Sequence, residues 1–468
     1  MFKAMIVTMA VTGGLTVARE LYVPNDFATI QEALNAAQHG DTVVVRRGVY
    51  LENINFHGKA VHLVSESGPD DTIIDGSNAG DQDRCGSVVS FVTDEGPNSA
   101  IEGFTLRGGI GWLGPLDLNR YGGGVMIFRS SPKVINCIIT DNSATSGGGV
   151  MIWQGGAAPE VTGCTITRNT STSDGGGLSV FLAGPAKIMN NAIKENATRW
   201  FGGGICSFLS ETIIFGNVIT HNTCDHCGGG VLALIMPGSC QDKLVNNTIC
   251  FNYAARDGGG LDGGGRGFGQ TMAVVNNIFY RNVAGGSGND TTCSPDLMYN
   301  NLISNGTNAG VNGNIDGDPL FVNATRGDFR LRPGSPCVDA GTPVSLPATT
   351  ELFGNLRVVD GNDDGAAYID IGAAEYVPVP GPKFIRGDVN DDGTLDIADS
   401  VTCLDGIFGD GQFACEDAAD ANDDGTLNVA DPVYILEVLF GESSGGYLMC
   451  EPDLTDDGLE CDSYTTCP

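Results

Sequence analysis

From residue 122 onward the chain repeats one pattern: three glycines, a short apolar run, a turn, and a further short run closed by an asparagine turn. The triplets begin at residues 122, 147, 175, 202, 228 and 258, a spacing of 25 to 30 residues. A recurring period of this size marks a solenoid, in which each unit stacks on the last. Aligned on the triplets, Val134, Val161, Ile188, Ile214, Leu244 and Val274 share one column, and Ile139, Ile166, Ile193, Ile219, Ile249 and Phe279 share another. Side chains alternate faces along a strand, so these columns are expected to point inward, with Thr167 beside Ile166 facing solvent. Two further columns are polar. One holds Cys137, Cys164, Asn191, Asn217, Asn247, Asn277 and Asn301; the other holds Asn142, Asn169, Asn196, Asn222, Asn252 and Asn282. Stacked asparagines can bond side chain to side chain, which satisfies amides that are costly to bury alone, and cysteine fits the same slot as a small hydrophobe.

Units of this length have no room for a helical crossover, so each is expected to form one coil of three short strands. Ahead of them, "DFATIQEALNAAQHG" places Ile30, Ala33, Leu34 and Ala37 on one helical face, with Asp26 as the expected N-cap and Gly40 as the stop. A helix here would cover the open strand edges of the first coil. The pattern resembles the right-handed parallel β-helix of the pectate-lyase-like class over roughly residues 20–340. "DTVVVRRGVYLENINFHGKAVHLVSE" and "TIIDG" resemble the opening coils of pectin methylesterases, and "GDPLFVNATRGDFRLRPGSPCVDAG" with "DIGAAEY" resembles the closing segment of secreted bacterial β-helix proteins. The resemblance implies an all-β solenoid over residues 19–374 and a polysaccharide as substrate or ligand.

The pattern changes after the proline-rich stretch at 375–383. "DVNDDGTLDIAD" sets side-chain oxygens of Asp388, Asn390, Asp392, Asp396 and Asp399 at loop positions one, three, five, nine and twelve. Gly393 stands at the sharp sixth position, and Thr394 at the seventh offers its carbonyl. Neighbouring carboxylates repel by about 4 kcal/mol per pair at a surface-like dielectric, and a hard divalent cation relieves this. The same order returns 32 residues later as Asp420, Asn422, Asp424, Gly425, Thr426, Asn428 and Asp431, and apolar helix-period runs follow both loops. This is the ligand order of a calcium-binding EF-hand loop. Residues 384–443 resemble a dockerin, a small α-helical module with two such loops that plugs into a cohesin domain. The resemblance implies two bound calcium ions and a cohesin-like partner. Its partner-choosing positions ten and eleven are here Ile397 and Ala398, then Val429 and Ala430, in place of the hydroxyl pairs of many relatives. The alternative is a calcium-stapled domain with no partner.

Charge narrows the partners. The formal net charge is −33, and there is no basic run, which argues against nucleic acid and anionic membrane surfaces. Residues 1–18 read as a signal peptide, with Lys3, an apolar stretch and small residues before Ala18, so the mature chain is expected to be exported, uninserted in membranes and monomeric. Fifteen cysteines in an exported chain imply disulfides, with Cys403 and Cys415 as an expected pair and a Cys-containing tail at 444–468. "HNTCDHC", residues 221–227, is open to zinc, disulfide or packing.

Chemistry on the solenoid is sought at its turns. Trp200, His226, Arg256 and Asp257 precede successive triplets and are expected on one edge, where an aromatic face, a cation and a carboxylate would suit an acidic sugar. A second column, Phe128, Trp153, Phe181 and Phe208, is expected to pack inward as core. Asp141, Arg168, Glu195 and His221 are expected to form inter-coil ion pairs. Two functions are compatible with these residues: a carbohydrate-active enzyme, a lyase or hydrolase, carried by its dockerin-like tail, or a noncatalytic adhesive β-helix displayed by the same tail.

Overall fold

The computed structural model describes residues 18–77, 86–114, 117–154, 158–234, 243–263, 272–294, 297–304, 310–345, 347–362, 365–378, 384–409 and 411–440, with Leu459, Cys461 and Tyr464. The expected signal peptide, residues 379–383 of the proline-rich stretch and most of the tail lie outside the described residues. Two compact units emerge: residues 1–318 with 340–357 and 370–374, and residues 319–339 and 358–369 with 375–468.

The first unit is a parallel β-helix. Four parallel sheets run along it, of eleven, ten, eight and eight strands, the third closed at one end by an antiparallel pair. In one coil the chain passes through Glu160–Thr162, Thr165–Thr167, Thr170–Asp174 and Leu178–Phe181, one strand in each sheet. The coil therefore has four strands, not three, because the segment before the glycines is itself a short strand. Both apolar columns stand in register and wholly inside, with Ile139, Ile166, Ile193 and Ile219 each at 0 % exposure. Thr167 is the exception to the expected alternation, since it is also buried.

The polar columns form hydrogen-bonded ladders. Asn169 donates from Nδ2 to the Ile139 carbonyl at 2.8 Å and to Asn196 Oδ1 at 3.1 Å, and its backbone N–H donates to the same Oδ1 at 3.0 Å. Every amide of the column repeats this triad, so burial leaves no polar atom of the step unmet. The ladder ends on Asp290, whose Oδ1 accepts from Asn282 Nδ2 at 2.9 Å. An acceptor without donors suits the last rung.

The glycine triplets are the tightest part of the stack. A Cβ on Gly175, whose φ is +62°, would lie 2.4 Å from the Leu178 carbonyl oxygen; on Gly176 it would lie 2.6 Å from the oxygens of Ala197 and Gly203 in the next coil. On Gly177 it would lie 2.7 Å from the Gly204 oxygen. The first glycine makes the bend, and the other two allow the backbone of one coil to lie against the next.

A helix, α1 (Ile30–Ala36), covers the first coils, burying Ile30, Ala33 and Leu34. Its N-cap is Thr29, in a capping box with Glu32, and it ends at Ala37, before Gly40. Asp26 cannot cap it because its carboxylate accepts the Tyr22 N–H at 2.9 Å. At the other end, the segment expected to finish the solenoid forms an antiparallel hairpin, Phe321–Asn323 with Asp328–Leu331, in the second unit. Residues 340–357 and 370–374 instead return along the coils: Arg357, 1 % exposed, donates to the carbonyls of Gly372 and Ala373 and lies 5.6 Å from the Phe215 ring. Glu375 and Tyr376, at the start of the proline-rich stretch, are buried.

Two substitutions test the stacking. Asn196→Ala strands the Asn169 amide and the Ile166 carbonyl, at on the order of 1–3 kcal/mol for each unmet group, while Thr170→Ala, on the exposed face, should change the unfolding temperature little. Gly176→Ala should be at least as damaging as Asn196→Ala, because its methyl meets backbone and not a movable side chain. Equal thermal unfolding midpoints for Asn196→Ala, Gly176→Ala and the parent chain would show that neither contact holds the coils together.

Candidate functional site

The bend at each triplet folds the third sheet back against the outside of the fourth. Tyr121, Ser146, Asp174, Phe201 and Cys227 stand in one column of the third sheet and its bridges. Facing them across the bend are Met126, Met151, Ser179, Cys206 and Leu232. These five alternate with the interior residues and so point outward, yet each is at most 3 % exposed. A surface strand residue is hidden in this way only inside a concave crease.

One step further along each strand lie Phe128, Trp153, Phe181, Phe208 and Leu234, paired in register and half-buried. The expectation that this aromatic column packs inward is therefore overturned. Leu178 and Val180 already fill the interior in their coil, and period-two alternation sends Ser179 and Phe181 outward. The rings run on without interruption: Trp112 to Phe128 at 5.7 Å, Phe128 to Trp153 at 5.3 Å, Trp153 to Phe181 at 6.4 Å and Phe181 to Phe208 at 5.6 Å between centroids. Tyr121 leans on Trp153 from the opposite wall at 4.9 Å. The Trp153 indole N–H is shielded from solvent and has no hydrogen-bond partner among the described residues.

The polar groups of the crease carry both signs of charge. Asp174 accepts from the hydroxyls of Ser173 at 2.8 Å and Ser146 at 3.4 Å, and burial raises its pKa above the usual carboxylate value. Asp117 accepts from the Tyr121 phenol, whose pKa burial and that bond push up to about 12. Arg129 lies over the Phe128 ring at 5.2 Å, and Arg120 donates to the Gly111 carbonyl.

The edge expected to carry a sugar is brought together in part. Trp200 and His226 are ring neighbours at 5.4 Å, with Arg199 over Trp200 at 5.8 Å, and Trp200 is 44 % exposed. Arg256 follows on the next coil, its N–H donating to the His226 carbonyl at 2.9 Å. Asp257 is turned to the coil beyond, accepting from Ser287 N and Oγ at 3.0 and 2.7 Å. Of the expected inter-coil ion pairs, Arg168 meets Asp141 at 2.8 Å, whereas His221 stacks on Phe251 at 5.3 Å. In "HNTCDHC", Cys224 and Cys227 are buried free thiols, and the Cys224 sulfur donates to the carbonyls of Trp200 and Cys227. Burial pushes the Cys224 thiol to about 12, which favours packing over metal ligation.

In the second unit the acidic loops lead into α2 (Ile397–Phe408) and α4 (Ala430–Phe440), with the short α3 (Glu416–Ala419) between. Asp388, Asp399, Asp420 and Asp431 are all at 0 % exposure. Backbone N–H groups aim them: Asp388 accepts from Asp392 and Gly393, Asp399 from Val389, Asn390 and Asp396, Asp420 from Asp424 and Gly425, and Asp431 from Asn422 and Asn428. Gly393 and Gly425 have φ of +79° and +73°, the left-handed turn required at position six. Asp392 accepts from Thr394, Asp396 caps α2, and Asn428 Nδ2 donates to the Thr426 carbonyl. The Asn422 side-chain oxygen is buried with no partner among the described residues. Burial, with Asp431 nearby, holds the Asp420 carboxyl up at about 6, and burial likewise raises Asp399. Two wholly buried carboxylates per loop and an orphaned amide oxygen are a hard-oxygen donor set that fits calcium.

The expected Cys403–Cys415 pair is replaced by Cys415–Cys461, while Cys403 is a buried thiol in the core between α2 and α4. Ile397, Ala398, Val429 and Ala430 are all exposed at the helix starts.

Comparison with known proteins agrees with the fold. A family model for the right handed beta helix region matches residues 98–249. Among curated proteins none matches this chain. Among solved structures, pectate lyase Pel9A is similar at 15 % identity and TM-score 0.46, over 78 % of this chain and 98 % of that one. Pectin methylesterase from carrot is similar at 12 % and 0.31, over 64 % and 88 %. A mannuronic acid specific polysaccharide family 6 lyase from human gut microbiota is similar at 12 % and 0.26, over 64 % and 91 %. The first unit is thus a parallel β-helix, and the matched family description makes it a right-handed one.

Proposed function

We propose that this is an exported carbohydrate-binding β-helix that holds a polysaccharide along its crease and is tethered to a cohesin-like partner by a calcium-stabilised module. The observation that carries the first half is the unbroken outer column of rings from Trp112 to Phe208. From Phe128 to Phe208 there is one ring per coil, at the roughly 4.8 Å step of a parallel stack, with Trp112 beside Phe128 in the same coil, and the rings present a repeating apolar platform to a chain of sugar rings. Tyr121 closes the opposite wall, so that a bound chain would meet rings from both sides.

The crease offers an acidic chain no excess of positive charge, since Asp117 and Asp174 stand in it with Arg129, and a neutral chain is the occupant it favours. Cleavage by paired carboxyl groups needs them about 5–9.5 Å apart. In the Asp174 column, Phe201 and Cys227 intervene before Asp257, three coils on and roughly 14 Å away. Within that column no second carboxylate stands close enough to Asp174 for this hydrolysis, and the ring platform supports binding most directly.

The second half rests on the loops. Asp388, Asn390, Asp392, Thr394, Asp396 and Asp399 would hold one calcium ion, and Asp420, Asn422, Asp424, Thr426, Asn428 and Asp431 a second. The ions would supply positive charge among carboxylates that otherwise repel. On α2 an exposed apolar stripe, Ile397, Val401, Leu404 and Phe408, recurs every three or four residues, and Val429, Val433 and Tyr434 stand at the equivalent start of α4. Such a face on each helix supports docking to a protein partner.

Depletion of the protein by a panel of insoluble and immobilised glycans should show binding to a neutral polysaccharide. Trp153→Ala and Phe181→Ala should each weaken it about tenfold or more, the ~1.4 kcal/mol a lost ring contact amounts to, with Trp200→Ala less harmful. Unchanged affinity in both crease variants would remove the crease from the reading, and preference for a uronate polymer would overturn its neutral character. For the module, chelator should lower helical circular dichroism and calcium should restore it, with two ions bound per chain by calorimetry. Absence of any calcium effect would end that half of the proposal.

A further inference from the structure

We infer that the C-terminal residues clasp the first acidic loop, with Tyr464 as the residue that positions Asp388 for its calcium ion. This rests on the calcium reading above. Three contacts converge. Cys461 is joined to Cys415 by a disulfide across 46 residues, and the two are also paired as an antiparallel bridge. The Tyr464 ring meets the Phe384 ring at 6.4 Å, and Phe384, Cys415 and Ala418 form a buried cluster, distinct from the core between α2 and α4, against which Cys461 and Tyr464 pack. From there the Tyr464 phenol donates to Asp388 Oδ2 at 2.5 Å.

Asp388 is position one of its loop. Its Oδ2 already accepts the Gly393 N–H at 2.8 Å, so the phenol makes a second donor on the same oxygen, while Oδ1 accepts from Asp392 at 3.1 Å. Two donors on one oxygen fix the rotation of the carboxylate and leave the other oxygen turned into the loop. The second loop lacks this addition: Asp420 accepts from Gly425 at 2.7 Å and Asp424 at 3.2 Å, and among the described residues no phenol reaches it. The two loops share the glycine turn and the buried carboxylates; they differ at position nine, Asp396 against Asn428, and in the phenol that the tail brings to the first. Hydrogen bonds from outside the ligand set orient metal ligands, and their loss typically weakens metal binding 10–100-fold.

The two calcium sites should therefore differ, with the first depending on the tail. The test is calcium calorimetry on the full chain, in two backgrounds. With Asp420→Ala, which leaves the first loop, Tyr464→Phe and Cys461→Ser should each weaken binding at least tenfold. With Asp388→Ala, which leaves the second loop, Tyr464→Phe should leave Kd unchanged. In the chain with both loops intact, Tyr464→Phe should shift one binding step and not the other, which covers the case that a loop variant fails to fold. An unchanged first-loop Kd, or equal weakening of both loops, would overturn the clasp and leave the calcium reading standing. No calcium binding by the parent chain would overturn both.

Discussion

The closeness of backbone to backbone at the glycine triplets is the constraint on which the rest of the solenoid depends. Parallel coils stack about 4.8 Å apart, and at Gly203 and Gly229 an added Cβ would fall 2.3 and 2.4 Å from a carbonyl oxygen of the next coil. Only hydrogen fits. With the corner so tight, the third sheet is drawn in against the fourth, and a convex edge becomes a concave one. Met126, Met151, Cys206 and Leu232 are buried on the outside of the coil for this reason, and the rings of Phe128, Trp153, Phe181 and Phe208 line the opening. The candidate binding surface is thus a consequence of stacking, not an insertion added to it.

The same stacking decides what the interior tolerates. An asparagine inside a lone coil would carry an unmet amide, yet between identical neighbours it makes three bonds, as Asn196 does with Asn222 and Ile166. The order is directional, since each rung donates to the next. It requires an ending that accepts only, which Asp290 supplies, while at the entrance the amide of Asn142 is met by the Leu106 carbonyl and by Gly109.

The columns were legible in the sequence because one period is read six times over, and an inward position repeated that often cannot be mistaken for a loop. The turns of the acidic loops were legible because a glycine at the sixth place, Gly393 or Gly425, marks where the backbone goes left-handed. What failed had no period to lean on. The fourth strand is only two residues long in places, as at Ala197–Thr198, too short to alternate visibly. The aromatic column was misplaced by a rule about ring burial, although Leu178 and Val180 had already taken the inside. Asp26 has the side chain of a good cap, but the helix is capped three residues later, at Thr29, and the Asp26 carboxylate accepts the Tyr22 N–H instead. Cys461, the partner of Cys415, lies in a tail with no pattern, and proximity in sequence pointed to Cys403 instead.

Net charge and ring stacking together decide what kind of chain the crease suits. A chain of net charge −33 repels polyanions at distances up to the Debye length, about 8 Å at physiological salt. Stacking acts only at contact, so it cannot draw an acidic polymer in through that field, and in the crease itself Arg129 is offset by Asp117 and Asp174. A neutral glycan approaches without that repulsion and gains from each ring in turn, while the acidic side chains are free to accept its hydroxyl hydrogens. In the module the same negative charge acts in the opposite sense: Asp388 with Asp399, and Asp420 with Asp431, are buried where a cation would offset their repulsion. On the proposed reading, the carboxylates of the crease leave an anionic chain without a partner, while those of the loops would hold a divalent cation.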